Sequence, residues 1–232
     1  MYIALLLEPE YSKAMNSEIR TVEFYVSGDD DTTRDSCVQV HSKGTSSHGV
    51  PEEGGVMDAA MGTTEHAWKC NTCRGNKIQC PSHFGHILLR YPFQNPLWAD
   101  HIIKWLRILC LNCGNLLVKN AKLRTFEDYS EHMKAQPKNV NCAHCQVIHP
   151  RIGKNAINQS NLELTYYKPD MRTIESAKLF NNDEVLTLLK RIPDSTLKLF
   201  NITEKTHPKH MVCYKLRVPP VALRPDTRHY DN

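Results

Sequence analysis

Cys70-x2-Cys73-x6-Cys80-x2-His83, followed by Cys110-x2-Cys113 and then Cys142-x2-Cys145, constrains this chain more than any other feature. Two ligands two residues apart form a knuckle. Such a turn aims both donors at one ion, with sulfur about 2.3 Å from a zinc, and a second pair closes a tetrahedron. The eight side chains therefore predict two structural zinc ions. Four protein ligands on each ion leave no position for a reacting water, which argues against a zinc hydrolase. His86 is the rival to His83 as fourth ligand of the first set; the two-residue gap favours His83. Gly114, directly after a knuckle, suits a tight turn. The redox reading of C-x2-C needs a thioredoxin-type βαβ setting, which the sequence lacks. His144 and His149 are expected to be bystanders. Cys37 and Cys213 read as small buried hydrophobes.

Composition supports metal over disulfides. The 232-residue chain opens "MYIALLLEPEY", with no positive leader and an early Glu8, so export is not expected. No run approaches the ~18 apolar residues of a membrane span. A chain kept in a reducing compartment uses its cysteines as ligands. Length allows one large domain or two small ones. With 41% hydrophobic residues, a core is possible. A net charge of +4 permits nucleic-acid contact without arguing for it.

Residues 1–20 read as an extension or a short first helix. Alternation in 21–27 predicts a strand with Val22, Phe24 and Val26 on one face. Residues 28–55 read as loop around a short "CVQV" strand, with Asp29, Asp30 and Asp31 as a solvated acidic turn rather than a magnesium site. Asn95 and Pro96 suit a helix start, and Leu97, His101, Ile102, Trp105, Leu106 and Leu109 recur at helical spacing up to Cys110. That is the one good helix expected in 60–150, where metal replaces a core. A strand with Leu162, Leu164 and Tyr166 on one face follows. Residues 182–194 form an amphipathic helix with acids in its first turn, ended by Pro193. A short helix capped by Asp194, a strand over 211–218 and an extended "PPVALRP" exit complete the reading. The class is α+β, irregular and zinc-stabilised. No G-x-S-x-G, P-loop or H-E-x-x-H appears, so the residues alone indicate a zinc-stabilised binding or scaffold protein.

The order and wording of the motifs go further. "GGVMDAAMGTTEHAWKCNTCRGNKIQCPSHFGHI" resembles the start of the largest subunit of multisubunit DNA-dependent RNA polymerases, where a "GG…D-x-R-x-G" segment leads into C-x2-C-x6-C-P-x-H-F-G-H-I. Cys110, Cys113 and Gly114 match the family's next knuckle, and Cys142 and Cys145 its distant C-x-x-C. "RIPDSTLKLFNITEKTHPKHMVCYKLRVPPVALRP" is similar to the family's "K-R-I-x-D…L-G…R-P-x-W-M-I…V-P-P-x-x-V-R-P". The similarity runs from about residue 20 to 225, and "MGTT-E-H" looks nearest to versions from large cytoplasmic DNA viruses.

The resemblance implies the clamp core and clamp head, a mobile wall over the DNA cleft. Its divisions would be an extension at 1–20, clamp core with the first zinc loop at 21–95, clamp head with the second zinc at 96–150, the clamp-core return at 151–225, and a tail at 226–232 where the lid should begin. Ala60 stands where the family usually has Arg. The family's "N-A-D-F-D-G-D", whose aspartates hold Mg2+, is absent, so polymerase chemistry would belong to another chain or a missing part. Implied partners are the remainder of the largest subunit, the second-largest and small subunits, DNA and the DNA–RNA hybrid, with no membrane. The implied location is the host cytoplasm's viral factory and the virion for a viral protein, and the nucleus otherwise. A clamp grips phosphates of any sequence. Lys104, Arg107, Lys119, Lys122 and Arg124, with Arg224 in the exit segment, are the candidate contacts; the same residues also read as a solvated helix face and loop. The alternative is a free-standing zinc-binding interaction protein, a degenerate polymerase fragment or regulator.

Overall fold

A computed structural model describes residues 21–47, 49–155 and 161–224. The expected extension or helix at 1–20 and the tail at 226–232 therefore lie outside the described residues. Residues 21–28 form no strand. Val22 and Phe24 are exposed and only Val26 enters the core, so the alternation has neither a pairing partner nor a face to bury.

Helix α1, Asp29–Asp35, corrects the acidic-turn reading. The Asp29 carboxylate accepts from the backbone N–H groups of Tyr214 and Lys215, and Asp31 accepts from Gly28 N–H at 3.1 Å. Strand β1, Ser36–Gln39, follows, then a minimal ladder of β2, Ser46–Ser47, with β3, Val50–Pro51. Strand β4 is long, Phe84–Gln94, and starts one residue beyond His83.

Asn95 caps a 3-10 turn, Pro96–Trp98, by accepting from Leu97 N–H at 3.1 Å. Helix α2, Ala99–Ile108, then buries Ile102, Ile103, Trp105, Leu106 and Ile108. A second helix in this region, α3, Phe126–Ala135, was not expected. Its capping box joins Thr125 and Asp128. Phe126 stacks on Trp105 with ring centroids 4.6 Å apart, and Phe200 meets both rings edge-on. Residues 60–150 therefore carry more apolar packing than metal alone requires.

Strands β5, Val140–Asn141, and β6, Ile148–His149, close a short ladder. Strands β7, Arg151–Lys154, β8, Leu162–Tyr167, and β9, Ile174–Phe180, form an antiparallel meander in that order. As expected, Leu162 and Leu164 point into the core, and Tyr166 packs against it. Helix α4, Asn182–Lys190, ends before Arg191. Helix α5, Asp194–Leu199, takes Pro193 as its N-cap, so Asp194 is the first helical residue rather than the cap. Strand β10, Val212–Val218, pairs antiparallel with β4, which pairs parallel with β1, giving the order β1-β4-β10. The exit segment is not fully extended; Val221–Leu223 form a 3-10 turn.

The main core joins α2, α4, the meander and Val26, with Ile102, Leu106, Val185, Leu189, Ile152 and Leu162 nearly sealed from solvent. Each such side chain stabilises by roughly 1.5–3 kcal/mol. A second, smaller core holds Val40, Met61, Val218 and Val221. No helix among the described residues is long and apolar enough to cross a membrane.

Candidate metal centres

All eight predicted ligands assemble as two groups of four, Cys70, Cys73, Cys80, His83 and Cys110, Cys113, Cys142, Cys145. Within each group the donor atoms all lie within 4.8 Å of one another. His86 is not in the first group; its Nδ1 sits 2.8 Å from Ser36 Oγ instead.

Three of the four knuckles are one turn used again. Cys70 N–H donates to Gly75 O at 2.9 Å and Arg74 N–H to Cys70 O at 2.8 Å. Cys110 repeats this with Asn115 O and Gly114 N–H, both at 2.8 Å, and Cys142 with Val147 O and Gln146 N–H, both at 3.0 Å. The residue four past each leading cysteine is left-handed, with φ of 63° at Arg74, 73° at Gly114 and 60° at Gln146. The turn brings the ligand three residues on back toward the first. Cys80 and His83 are arranged differently: Ser82, at φ 69°, donates its N–H to Cys80 Sγ at 3.3 Å.

The second group sits against the end of α2. Cys110 and Cys142 are buried, with Leu117 fully buried between them and the core. Leu117 N–H donates to Ile108 O at 2.8 Å, and Ala143 N–H to Leu117 O at 2.9 Å. The Cys110 and Cys145 sulfurs are 3.6 Å apart, and those of Cys113 and Cys142 3.7 Å. A tetrahedron with ~2.3 Å arms has edges of about 3.8 Å, so the spacing fits one ion. Burial pushes the Cys110 thiol up to about 12, whereas the Val147 N–H draws Cys145 down to about 6. Burial and a backbone donor thus shift two thiols of one group in opposite directions.

The first group rests on a short turn, Ala59–Met61. Asn71 N–H donates to Ala59 O at 3.1 Å, Thr72 Oγ1 to Ala60 O at 2.8 Å and His83 N–H to Met61 O at 3.2 Å. The turn is itself held by Asp58, a buried carboxylate that accepts from Gly54 N–H at 2.6 Å and Ala60 N–H at 2.7 Å. Asp58 is the Asp of the "GG…D-x-R-x-G" pattern, but the pattern by itself assigns it no role; its two backbone contacts do. His83 Nε2 is buried and has no hydrogen-bond partner among the described residues. A buried nitrogen left unpaired beside three thiols is what a metal would satisfy. Burial pushes the Cys80 thiol up to about 11; at Cys70 burial acts the same way, but the Cys73 and Thr72 N–H groups outweigh it and lower the thiol.

His144 lies outside both groups, as expected. Cys213 is buried, again as expected, but Cys37 is exposed and donates to Ala60 O at 3.2 Å. A register break in β1 opposite Phe84 and Gly85 places it at the sheet edge rather than in the core.

The predicted basic residues do not share one wall. Lys119 and Arg124 line a shallow depression with Tyr129. Lys122 is exposed on the adjoining turn. Lys104 and Arg107 lie one helical turn apart on α2, and Arg107 lines a different cavity, where its Nε donates to Ile152 O at 3.0 Å. Arg224 is half-buried. It donates to Pro219 O at 2.8 Å and to Val56 O, and so fastens the exit segment to the small core.

The family of RNA polymerase Rpb1, domain 1, matches residues 16–229. A DNA-directed RNA polymerase RPB1 homolog of African swine fever virus (isolate Pig/Kenya/KEN-50/1950) is 31% identical over 218 residues, covering 91% of this chain and 14% of the relative. DNA-directed RNA polymerase subunit Rpo1N of Sulfolobus acidocaldarius is 31% identical over 194 residues, 76% of this chain and 21% of the relative. DNA-directed RNA polymerase II subunit RPB1 of Euplotoides octocarinatus is 27% identical, over 90% of this chain and 48% of the relative. The chain therefore spans about a seventh of the viral relative's length.

Proposed function

The chain belongs to the RNA polymerase Rpb1 domain 1 family, and on that premise we propose that it serves as the clamp portion of the largest subunit of a DNA-directed RNA polymerase. The observation that carries the reading is the family match across 16–229 together with two closed four-ligand groups where that match runs. Each group holds a zinc ion: the second on the strength of four cysteines with 3.6–3.7 Å sulfur spacing, the first on three cysteines beside the unpaired His83 Nε2. Both zincs are structural. They keep the wall rigid so that it moves over the DNA as a unit.

In this reading 21–95 and 151–225 form the clamp core and 96–150 the clamp head. Lys104, Lys119, Lys122 and Arg124 have no ion-pair partner among the described residues. They are suited to phosphates of any sequence. Arg107 is a candidate contact too, and Arg224 contributes mainly by anchoring the exit segment. The aspartates that hold catalytic Mg2+ lie on another chain or another part of the subunit, so this segment has no catalytic residue of its own. Exposed Val22, Phe24, Tyr91, Leu97 and Leu223 support packing against the rest of that subunit, the second-largest subunit and small subunits.

The test is a tagged pull-down from the native source with every co-purifying chain identified by mass spectrometry. Stoichiometric recovery of the second-largest subunit and of a polypeptide bearing "N-A-D-F-D-G-D" is expected. Recovery of the chain alone, or with unrelated partners, would overturn the polymerase role in favour of a free-standing zinc-binding interaction protein.

A further inference from the structure

A cavity of about 280 Å³ opens beside the second metal group, between α2, the segment after α3, and β7. Its wall carries Arg107, Arg151, Lys134 and Lys138 and no carboxylate. At about 30 Å³ per water in the liquid, the space exceeds a bare hydration site.

The charges in this wall are unequally compensated. Lys134 pairs with exposed Glu131 at 2.5 Å, and Lys138 lies 4.3 Å over the Tyr167 ring. Arg107 and Arg151 have no ion-pair partner among the described residues. Arg107 is half-buried, with one of its five N–H donors on Ile152 O. Burial, and after it the charge of Arg151, lowers the Arg107 pKa, so the two guanidiniums sense each other across the cavity. A half-buried cation beside a second cation is costly until an anion joins them. His149 also lines the cavity; it is 5% exposed, and its Nε2 has no hydrogen-bond partner among the described residues. Burial holds its pKa down at about 4, so it is a neutral donor or acceptor rather than another cation. The remaining wall is mostly apolar, with Val140 and Ile152, and Gln136 adds one neutral polar side chain.

We propose that this cavity binds a phosphoryl group, gripped between the guanidiniums of Arg107 and Arg151 with Lys134 and Lys138 at the rim. Planar guanidinium forks match tetrahedral oxyanions, and two converging forks favour phosphate over a single point anion such as chloride. The phosphoryl group has two possible sources, a free phosphate or ester and a nucleic-acid backbone. The proposal goes beyond the polymerase role. It concerns one phosphoryl group in one cavity, and its test uses inorganic phosphate rather than a duplex.

The test uses the full 15N-labelled chain, loaded with zinc, titrated with inorganic phosphate at constant ionic strength balanced by chloride. A saturable shift of the Arg107 and Arg151 Nε–H signals is expected. The double variant Arg151→Gln/Lys138→Ala should weaken phosphate binding by at least about tenfold, because it removes one fork and one rim charge. Its zinc content and amide spectrum should stay unchanged, since Arg151 is exposed on its strand. The Lys190→Ala/Lys198→Ala variant, at two exposed lysines outside the cavity, should bind phosphate as the parent does. A single strand of about twelve nucleotides then separates the sources. Displacement of phosphate assigns the site to a strand phosphate, and binding without displacement assigns it to a free phosphate or ester. A shift with no saturation, an equal response to chloride, or an equal loss in the Lys190/Lys198 variant would overturn the proposal.

Discussion

Cys70 and Cys110 open turns with the same hydrogen bonds, yet the chain around them is built differently. The turn at Cys110 continues directly from α2, and its neighbours Leu117, Val118 and Met133 join the ligands to buried apolar packing. The first group has less apolar support: Cys70 is buried and His83 N–H bonds to Met61 of the small core, but none of its ligands belongs to a hydrophobic cluster. Cys73 is exposed, Ile78 is 84% exposed, and the loop is tied to the Ala59–Met61 turn by backbone and Thr72 hydrogen bonds. The same ligand geometry is therefore set once into a core and once into a loop. With ions bound, metal and core would support each other in the second group, whereas in the first the ion would be the principal organiser of its segment.

The largest effect expected from this difference is cooperativity. A structural zinc contributes on the order of 10 kcal/mol near neutral pH. Cys110→Ser should release one zinc and strip hydrogen-exchange protection from α2 and α3 together, leaving no sharp unfolding transition. Cys73→Ser should also release one zinc, by metal analysis, yet leave α2 and α4 protected and expose only the segment around 63–83. Loss of α2 protection in Cys73→Ser would show that the first group is not local. Full protection of α2 in Cys110→Ser would show that the core around the second group stands without metal.

A smaller effect separates the two neighbourhoods by pH. His149, on the strand that closes the second group's loop, is buried and held at about 4 against an ordinary 6.5. The folded chain keeps its imidazole neutral, whereas the unfolded chain takes up a proton near 6.5. The depressed value therefore leaves full stability above about pH 6.5, and that stability falls as pH drops toward 4, by about 3 kcal/mol in all. Acid also protonates the thiolates, so the informative quantity is the difference between wild type and His149→Leu. That difference should change by about 3 kcal/mol in favour of the variant between pH 6.5 and 4. A flat difference would mean that His149 is protonated alike in both states.

The sequence was most informative where chemistry dictates spacing. The knuckle intervals identified all eight candidate ligands, and apolar periodicity located α2, α4, β8 and β10. The misses have separate physical causes. Helix α1, "DDDTTRD", buries only Thr32, so it has no apolar stripe; it is held by Asp29 on the β10 backbone, a contact between residues far apart in sequence. Strand β9 exposes every residue but Phe180, so nothing in it alternates. Strand β4 departs from regular pairing with β10 between Phe93 and Leu88, which interrupts its pattern. Helix α3 was within reach, because Thr125 and Asp128 spell a capping box and Phe126, Tyr129 and Met133 share a face. It lies in the wide gap between the second group's cysteine pairs, where ligand spacing carries no information. Cys37 illustrates the reverse error: a cysteine in a short strand was assigned to the core by type, and the strand's irregular register leaves it exposed.

The smallest effect tests whether the shared turn has the same backbone demand in both groups. Gly114, Arg74 and Gln146 occupy the same left-handed position, and only Gly114 is the residue that adopts it without strain. A β-carbon at Gly114 would also stand 3.0 Å from the Arg191 carbonyl oxygen. Gly114→Ala should therefore cost about 1–2 kcal/mol from the backbone, and more from that contact. Gln146→Gly and Arg74→Gly should run the other way. Each relieves a side chain of the same left-handed cost but gives up roughly 0.5–1 kcal/mol of chain entropy, leaving a net gain of about 0.5 kcal/mol. Denaturant midpoints at unchanged slope would report both signs. For Gln146→Gly the gain should appear in global unfolding, because its turn belongs to the core-supported group. For Arg74→Gly it should appear in hydrogen exchange of the first loop alone. Equal global gains from both would mean that the first loop unfolds with the core, and the division between the two groups would have to be abandoned.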